Sequence, residues 1–564
     1  MLPGDRLTFL LFLLSTTVTT MNCDNLLVKT DSGYVRGVVL RTLLKNTEYI
    51  AYRGIPYAKP PVGDLRFKPP VPISPWSGIF QAIDYGNSCL VLHQSQLFPL
   101  NSTQSEDCLY LNVFTTVTSD DQLCAKKAVM FFIHGGAFTE GDGTDGFYGP
   151  DFIVDNDVIL VTFNYRLGPW GFANFDVKGY TGNMGFKDQQ MALEWIHQNI
   201  RYFGGDPSKI TVFGESAGGV ATHLHLLSEK SRKFMKRAIA MSGSAFSMFA
   251  FCEPNDHVEL FKDVFKLDAQ ATGQDVLEFM LNAPVDLILQ NAPVMSLERG
   301  LIHLYFGVVI ENETIAEDPF LIRRPLDIYE TTKVDVESMF GATSLESLAL
   351  LVAYPMYFWY EPLKDNYSNI GLPFRGLTLS PNSSVYQDAV RKIYAFYFGH
   401  EKLEDLQPNE ENFINYFEMS SDMNFVHPVN KSFELHSKYA RTSRYVINLN
   451  LKLNVVKLQA NIEYLPGMSH AEDMLYLFLS KKYSDLYANV LANPTDPINK
   501  KTLRAFQFVP KMFTDYCKTG LPMPTVNCNA GIEITNDGLK PMDGSRDERI
   551  KFWDSIYDSV RPWL

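Results

Sequence analysis

Ile210-Thr-Val-Phe-Gly-Glu-Ser-Ala-Gly-Gly-Val220 is the stretch whose reading decides the fold. Ile210 to Phe213 is β-branched and aromatic, which predicts a short buried strand. Gly214-Glu-Ser-Ala-Gly218 comes next, followed by Val220-Ala-Thr-His-Leu-His-Leu-Leu227, apolar enough for a packed helix. A serine between two glycines at a strand-to-helix turn fits a nucleophile elbow. Such a turn is too sharp for Cβ groups on either side, and it leaves the hydroxyl standing at the end of a sheet. The five-residue pattern is weak alone, so its weight comes from its surroundings.

Those surroundings alternate between the two periodicities. Ala128-Val-Met-Phe-Phe-Ile133, Val158-Ile-Leu-Val-Thr-Phe163 and Ala238-Ile-Ala-Met241 are apolar runs of strand length, while Asp188 to Ile200 has helical spacing. Strands alternating with helices imply an α/β fold, a large mostly parallel sheet with helices on both faces. Ahead of it, Leu26 to Val39 and Thr47 to Tyr52 alternate apolar and polar residues and predict an N-terminal antiparallel hairpin. Arg53 to Pro61 is proline-broken and reads as loop, and Glu106 to Val113 as another strand. His134-Gly-Gly-Ala-Phe138 stands directly after the run ending at Ile133. Glycines there let backbone N–H groups converge, so Gly135 and Gly136, with Ala217 as third donor, are the candidate oxyanion hole. His134 reads as a holder of that loop rather than a base.

The 564 residues are 46 % apolar, enough for a large core, and no linker, repeat or low-complexity tract divides them. A single domain over residues 23–564 is expected. The net charge of −14, with no dense Lys/Arg stretch, argues against nucleic acid or an anionic membrane surface as partner. Arg6 followed by the apolar run Leu7 to Leu14 reads as the core of a signal peptide spanning residues 1–22, with a buried N-terminal helix as the plainer alternative. No further stretch suits a membrane anchor. Secretion is the expectation. Asn-x-Ser/Thr triplets at Asn101, Asn312, Asn366, Asn382 and Asn430 agree with it as candidate glycosylation sites. Of seven cysteines, Cys89 with Cys108 and Cys517 with Cys528 form short-loop pairs that an oxidising compartment would close. Cys23 either leaves with the leader or stays as a lone thiol, and Cys124 and Cys252 have no assignable partner. No spacing resembles a zinc site.

Taken together, the motifs resemble the type-B carboxylesterase family of α/β-hydrolases, which includes cholinesterases, juvenile hormone esterases and general carboxylesterases. The resemblance covers nearly the whole mature chain. It rests on Glu106-Asp-Cys-Leu-Tyr-Leu-Asn112, His134-Gly-Gly-Ala-Phe138, Asn164-Tyr-Arg-Leu-Gly168, Gly182-Asn-Met-Gly-Phe-Lys-Asp-Gln189, Phe203-Gly-Gly-Asp-Pro207 and Gly214-Glu-Ser-Ala-Gly-Gly219. It implies structural ion pairs of Arg53 with Glu106 and of Arg166 with Asp188. Cys89–Cys108 matches the family's first disulfide, whereas Cys252 lacks the partner that the second one needs.

A serine hydroxyl needs a base within hydrogen-bond reach, and the base needs an orienting acid; this fold places them in the order Ser, Asp/Glu, His. Pro466-Gly-Met-Ser-His-Ala-Glu-Asp473 puts His470 on a glycine-containing loop before a new helix and resembles the family's histidine motif. Met339-Phe-Gly-Ala-Thr-Ser-Leu-Glu-Ser347 resembles the family's acid segment and nominates Glu346, although Leu345 and Ser347 depart from it. Asp335 and Glu337 compete for that role. Glu215 is expected to be buried support. His223, His225, His427 and His436 read as packing or surface residues. The expected chemistry is ester hydrolysis through an acyl-enzyme on Ser216, with no metal or organic cofactor.

For substrate, the resemblance implies less. Cholinesterases hold quaternary ammonium on a tryptophan, and none occurs here between Trp76 and Trp170. Juvenile hormone esterases, the alternative within the class, usually carry Gln where Glu215 stands. Phe249, where relatives often place Trp, and Phe251 read equally as a pocket wall or as core. Small to medium apolar esters remain as the expected substrates, consistent with detoxification or with turnover of volatile or hormone esters. The other-class alternative is a neuroligin-like adhesion protein on the same scaffold. Such relatives typically lose the nucleophile or base that is present here.

Overall fold

The computed structural model describes residues 26–92, 102–118, 122–252, 256–292, 295, 304–349, 383–399, 410–523, 531–542 and 547–560. The leader, Cys23, Cys528 and the triplet asparagines Asn101, Asn366 and Asn382 lie outside them.

An eleven-stranded sheet runs through the molecule. In chain order its strands are β1 (Val38–Arg41), β2 (Glu48–Pro56), β3 (Tyr110–Thr115), β4 (Lys127–Ile133), β5 (Ile159–Phe163), β6 (Gly205–Glu215), β7 (Arg237–Met241), β8 (Glu337–Thr343), β9 (Thr442–Asn448), β10 (Gly531–Thr535) and β11 (Gly538–Pro541). Their spatial order is β1-β2-β3-β5-β4-β6-β7-β8-β9-β10-β11. From β5 to β10 neighbouring strands are parallel, whereas both margins pair antiparallel. The apolar runs that predicted two-sided burial divide strictly by parity. Val129, Phe131 and Ile133 join one core, and Ala128, Met130 and Phe132 join the other.

The expected N-terminal antiparallel hairpin is present, and a second, smaller one precedes it. Leu27–Thr30 pairs with Gly33–Arg36 in a small sheet that also takes Ile79–Gln81, and the chain then crosses to β1, which pairs with β2. The crossing falls at Gly37, where a Cβ would stand 2.8 Å from the Ala51 carbonyl.

Three expectations change. Glu106 is held by Arg66, not Arg53: Nε and Nη2 lie 2.6 and 2.7 Å from its two carboxylate oxygens. Arg53 instead lies over the Tyr85 ring, 5.0 Å from its centroid. Cys517 is a buried thiol and not half of a disulfide. It sits on the face of the long helix Pro497–Thr519 that packs on the sheet, with Sγ 3.5 Å from the Val129 carbonyl. Asn430 lies buried in the helix His427–His436. Its Nδ2, the atom a glycan would use, donates to the Val426 carbonyl, and its Oδ1 accepts from Arg444. Asn312, by contrast, is exposed.

Two sequence expectations appear as stated. Cys89 and Cys108 are disulfide-linked. Arg166 and Asp188, both buried, form a two-pronged ion pair at 2.8 and 2.7 Å.

Candidate active site

Three parallel strands deliver the site at their C-terminal ends, the edge at which open α/β sheets carry ligands. β6 ends at Glu215, and the chain turns through Ser216 into the helix Ala217–Leu227. Ser216 has φ 59° and ψ −123°, a strained conformation for a residue with a side chain. The glycines around it are needed for contact. A Cβ on Gly214 would stand 2.4 Å from the Gly218 carbonyl oxygen, and one on Gly218 would stand 2.0 Å from that of Ile133. The Ser216 N–H donates to the Met241 carbonyl at 2.9 Å, tying the elbow to β7. Ala217 opens the helix, so its N–H stands at the positive end of the helix dipole.

The loop after β4 lies against this elbow. A Cβ on Gly135 would come within 3.1 Å of Ser216 Cβ, so its backbone abuts the serine directly. Gly136 has φ +100°, and Ala137 and Phe138 continue in the left-handed region. His134 holds the loop as expected: its Nδ1 donates to the Gly135 carbonyl at 2.8 Å and its ring stacks on Tyr165. Burial drives its pKa down to about 4, which keeps it neutral.

Glu346 follows β8, and His470 lies beyond β9 on the loop that follows the helix Val455–Ala460. The buried Glu346 carboxylate accepts three hydrogen bonds: Ser242 Oγ at 2.6 Å and Thr343 N–H at 2.7 Å on Oε1, and His470 Nδ1 at 2.6 Å on Oε2. Three donors from separate segments fix its position. The competing acids are engaged elsewhere, Glu337 with Arg237 and Arg441 and Asp335 near Lys333 at the surface. The other histidines are likewise committed. His223 bonds Tyr329 and the Ala245 amide, His225 bonds Ser231 and Gln189, His427 pairs with Asp554, and His436 bonds the Val336 carbonyl.

The second ring nitrogen of His470, Nε2, lies 3.2 Å from Glu215 Oε1, near enough for charge attraction without the alignment of a hydrogen bond. A third acid, Asp473, is buried close by. Burial works against a positive charge on His470, but Glu215 and Glu346 outweigh it and lift its pKa to about 9. Burial, compounded by neighbouring carboxylates, raises Asp473 and Glu215 in turn. A proton held on either weakens the pull that keeps His470 charged.

One aromatic was invisible from sequence. Phe425 packs on the His470 ring at 4.7 Å between centroids and on Phe249 at 5.4 Å. It sits in a five-residue π-helical turn, Asp422–Val426, between the helices Glu410–Ser421 and His427–His436. Pro428 just beyond has no N–H for the carbonyl four residues back, so the helix widens there. Phe249 thereby borders the site through Phe425, whereas Phe251 pairs with Val308 as an isolated bridge. Among the described residues no group of side chains has the makings of a metal site, and no helix is long and apolar enough to cross a membrane.

Comparison with known proteins gives a single answer. The carboxylesterase family model matches residues 24–541. The chain is 32 % identical to a juvenile hormone esterase of Tribolium castaneum over 569 residues, covering 93 % of each protein. It is 29 % identical to esterase B1 of Culex pipiens, covering 95 % of this chain and 99 % of that one. The crystal structure of a juvenile hormone esterase from Manduca sexta, with OTFP covalently attached, superposes with a TM-score of 0.81 at 25 % identity, covering 94 % of this chain and 99 % of that one. On a sheet of this topology, with a strained serine elbow beside a Glu–His pair, that match shows that the chain belongs to the carboxylesterase family and is a carboxylic ester hydrolase.

Proposed function

We propose that the ester is cleaved through an acyl-enzyme on Ser216. His470 takes the serine proton as Oγ attacks the carbonyl, and Glu346 steadies the imidazolium. The N–H groups of Gly135, Gly136 and Ala217 receive the developing oxyanion, each worth on the order of 10²–10³ in rate. His470 then protonates the departing alcohol, and water repeats the cycle on the acyl-enzyme. The observation that carries this reading is the 2.6 Å bond from His470 Nδ1 to Glu346 Oε2. It fixes the tautomer in which Nε2 is the basic atom, on the side of the ring that Glu215, the neighbour of Ser216, faces.

The substrates are small to medium apolar esters, with Phe249 and Phe425 as an apolar wall beside the imidazole. A hormone ester of the juvenile hormone type is the second reading. It is favoured by the two relatives of that name and disfavoured by Glu215, where such enzymes usually carry Gln. The protein acts outside the cell: a cleavable leader over residues 1–22, the Cys89–Cys108 disulfide and the exposed Asn312 triplet support export. Hydrolysis of p-nitrophenyl esters of increasing acyl length, by wild type and by Ser216→Ala, tests the reading. Turnover is expected from the wild type alone. Equal turnover by both would reject Ser216 as nucleophile.

A further inference from the structure

Lys457 has no exposed surface. It lies in the short helix Val455–Ala460, well away from the Ser216 elbow in sequence. A buried ammonium is expensive unless each of its three N–H donors finds an acceptor, and all three do. Nζ lies 2.7 Å from Asn450 Oδ1, 2.7 Å from the Gly467 carbonyl and 3.1 Å from the Leu465 carbonyl. Both carbonyls belong to the segment that leads into His470.

Glu472, equally buried, grips the same loop through its amides. Oε2 accepts from the Ser469 N–H at 2.9 Å and from Asn454 Nδ2 at 2.6 Å, and Oε1 accepts from the Val456 N–H at 2.9 Å. Lys457 and Val456 are neighbours, so a cation and an anion reach the histidine loop by way of one helical turn. The remaining backbone groups are tied to the acid segment. The Met468 N–H donates to Ser344 Oγ, the Leu345 N–H to the Met468 carbonyl and the His470 N–H to the Glu346 carbonyl. Gly467 and Ala471, on either side of His470, have φ +89° and +63°. A path with two left-handed bends is not one that local preference selects.

Buried charged groups add little net stability over apolar residues of the same volume. What Lys457 and Glu472 supply, each through its own hydrogen bonds, is a fixed path for the backbone between 465 and 472. We propose that Lys457 and Glu472 are positioning residues for His470, an opposite-charge clamp that sets where the imidazole stands relative to Ser216. The assignment rests on the esterase reading above. Methionine at 457 would fill the space and leave the Leu465 and Gly467 carbonyls without their donor, freeing the loop to shift. A displacement of about 1 Å in such a group costs on the order of 10²-fold in rate.

The test compares two leaving groups on Lys457→Met and Glu472→Gln enzymes, with active sites counted by organophosphate titration. A p-nitrophenolate leaves with little help, whereas the alkoxide of an ethyl ester of the same acid needs the His470 proton. Per titrated site, kcat/KM is expected to fall about 10-fold on the nitrophenyl ester and about 10²-fold on the ethyl ester. A fall equal on both esters, or none per titrated site, overturns the clamp and leaves Lys457 a packing residue. Should Lys457→Met not fold, Glu472→Gln, which keeps the volume and one acceptor oxygen, makes the same comparison. A wild type that hydrolyses neither ester would instead remove the functional reading, and the clamp's role with it.

Discussion

Glu215 Oε1 lies 3.2 Å from His470 Nε2, so the residue before the nucleophile faces the imidazole from the side opposite Glu346. The general base therefore works under two carboxylates, Glu346 hydrogen-bonded at Nδ1 and Glu215 close to Nε2 without a hydrogen bond. Burial opposes the imidazolium, and the carboxylates more than offset it, which places the His470 pKa above its usual 6.5. Only neutral His470 accepts the serine proton, so activity rises as pH climbs through that value. Removing the charge at 215 withdraws part of the support. Glu215→Gln is expected to move the acid limb of the kcat/KM profile to lower pH, read on a nitrophenyl ester across pH 5–10. A limb that stays put or moves up would show that Glu215 does not act on His470.

Glu346→Gln keeps the shape of the carboxyl group but presents no full charge to the Nδ1–H. A fall in kcat of about 10³–10⁴-fold is expected, with KM little changed, by analogy with loss of the acid in other serine triads. Steady-state kinetics checks this. A loss below about 10-fold would mean that another group steadies the imidazolium.

Phe249 meets the site through Phe425 rather than by filling remote core. Phe249→Ala is expected to raise the ratio of kcat/KM for hexanoyl over acetyl nitrophenyl esters by about 10-fold, one or two methylenes' worth of new apolar contact. The acyl-length series is the measurement, and an unchanged ratio would return Phe249 to the core.

The fold was legible where one local pattern had one structural meaning. The run 128–133, apolar throughout and of strand length, reads as a central strand and divides between the two cores, and the glycines around Ser216 answer to contacts a Cβ would violate. Glu346 and His470 were legible through motifs, Glu346 just after a strand and His470 on a glycine-containing loop before a new helix. Phe425 was not legible, because Pro428 marks where the helix widens but not that the side chain aimed there meets His470 and Phe249, which come from segments far away in the chain. Arg53 lies within β2 and Arg66 in the proline-rich stretch beyond it, and only the tertiary path shows which meets Glu106. The cysteine pair failed for a similar reason: spacing suggested a short loop, but helical phase turns Cys517 toward the sheet and Val129.

Cys517 is consequently expected to resist alkylation in the native enzyme and to be labelled, without prior reduction, once the chain is unfolded. Peptide mapping after iodoacetamide treatment in guanidinium decides it. Recovery of a Cys517–Cys528 disulfide peptide would overturn the assignment.

Asp188→Asn leaves the buried Arg166 guanidinium facing a neutral amide. A loss of about 3–5 kcal/mol in unfolding free energy is expected from breaking such a pair on one side, seen as a lower urea midpoint. Activity per titrated site should persist, since neither residue reaches the elbow. A midpoint within error of wild type would show that the pair adds nothing to stability.

The most direct test of the central claim is intact-mass analysis of the native enzyme after treatment with an organophosphate, followed by peptide mapping. One adduct per chain on Ser216, with activity lost in proportion and no adduct on Ser216→Ala, is the predicted result. No adduct at all, or an adduct on a different residue accompanying the loss of activity, would contradict it.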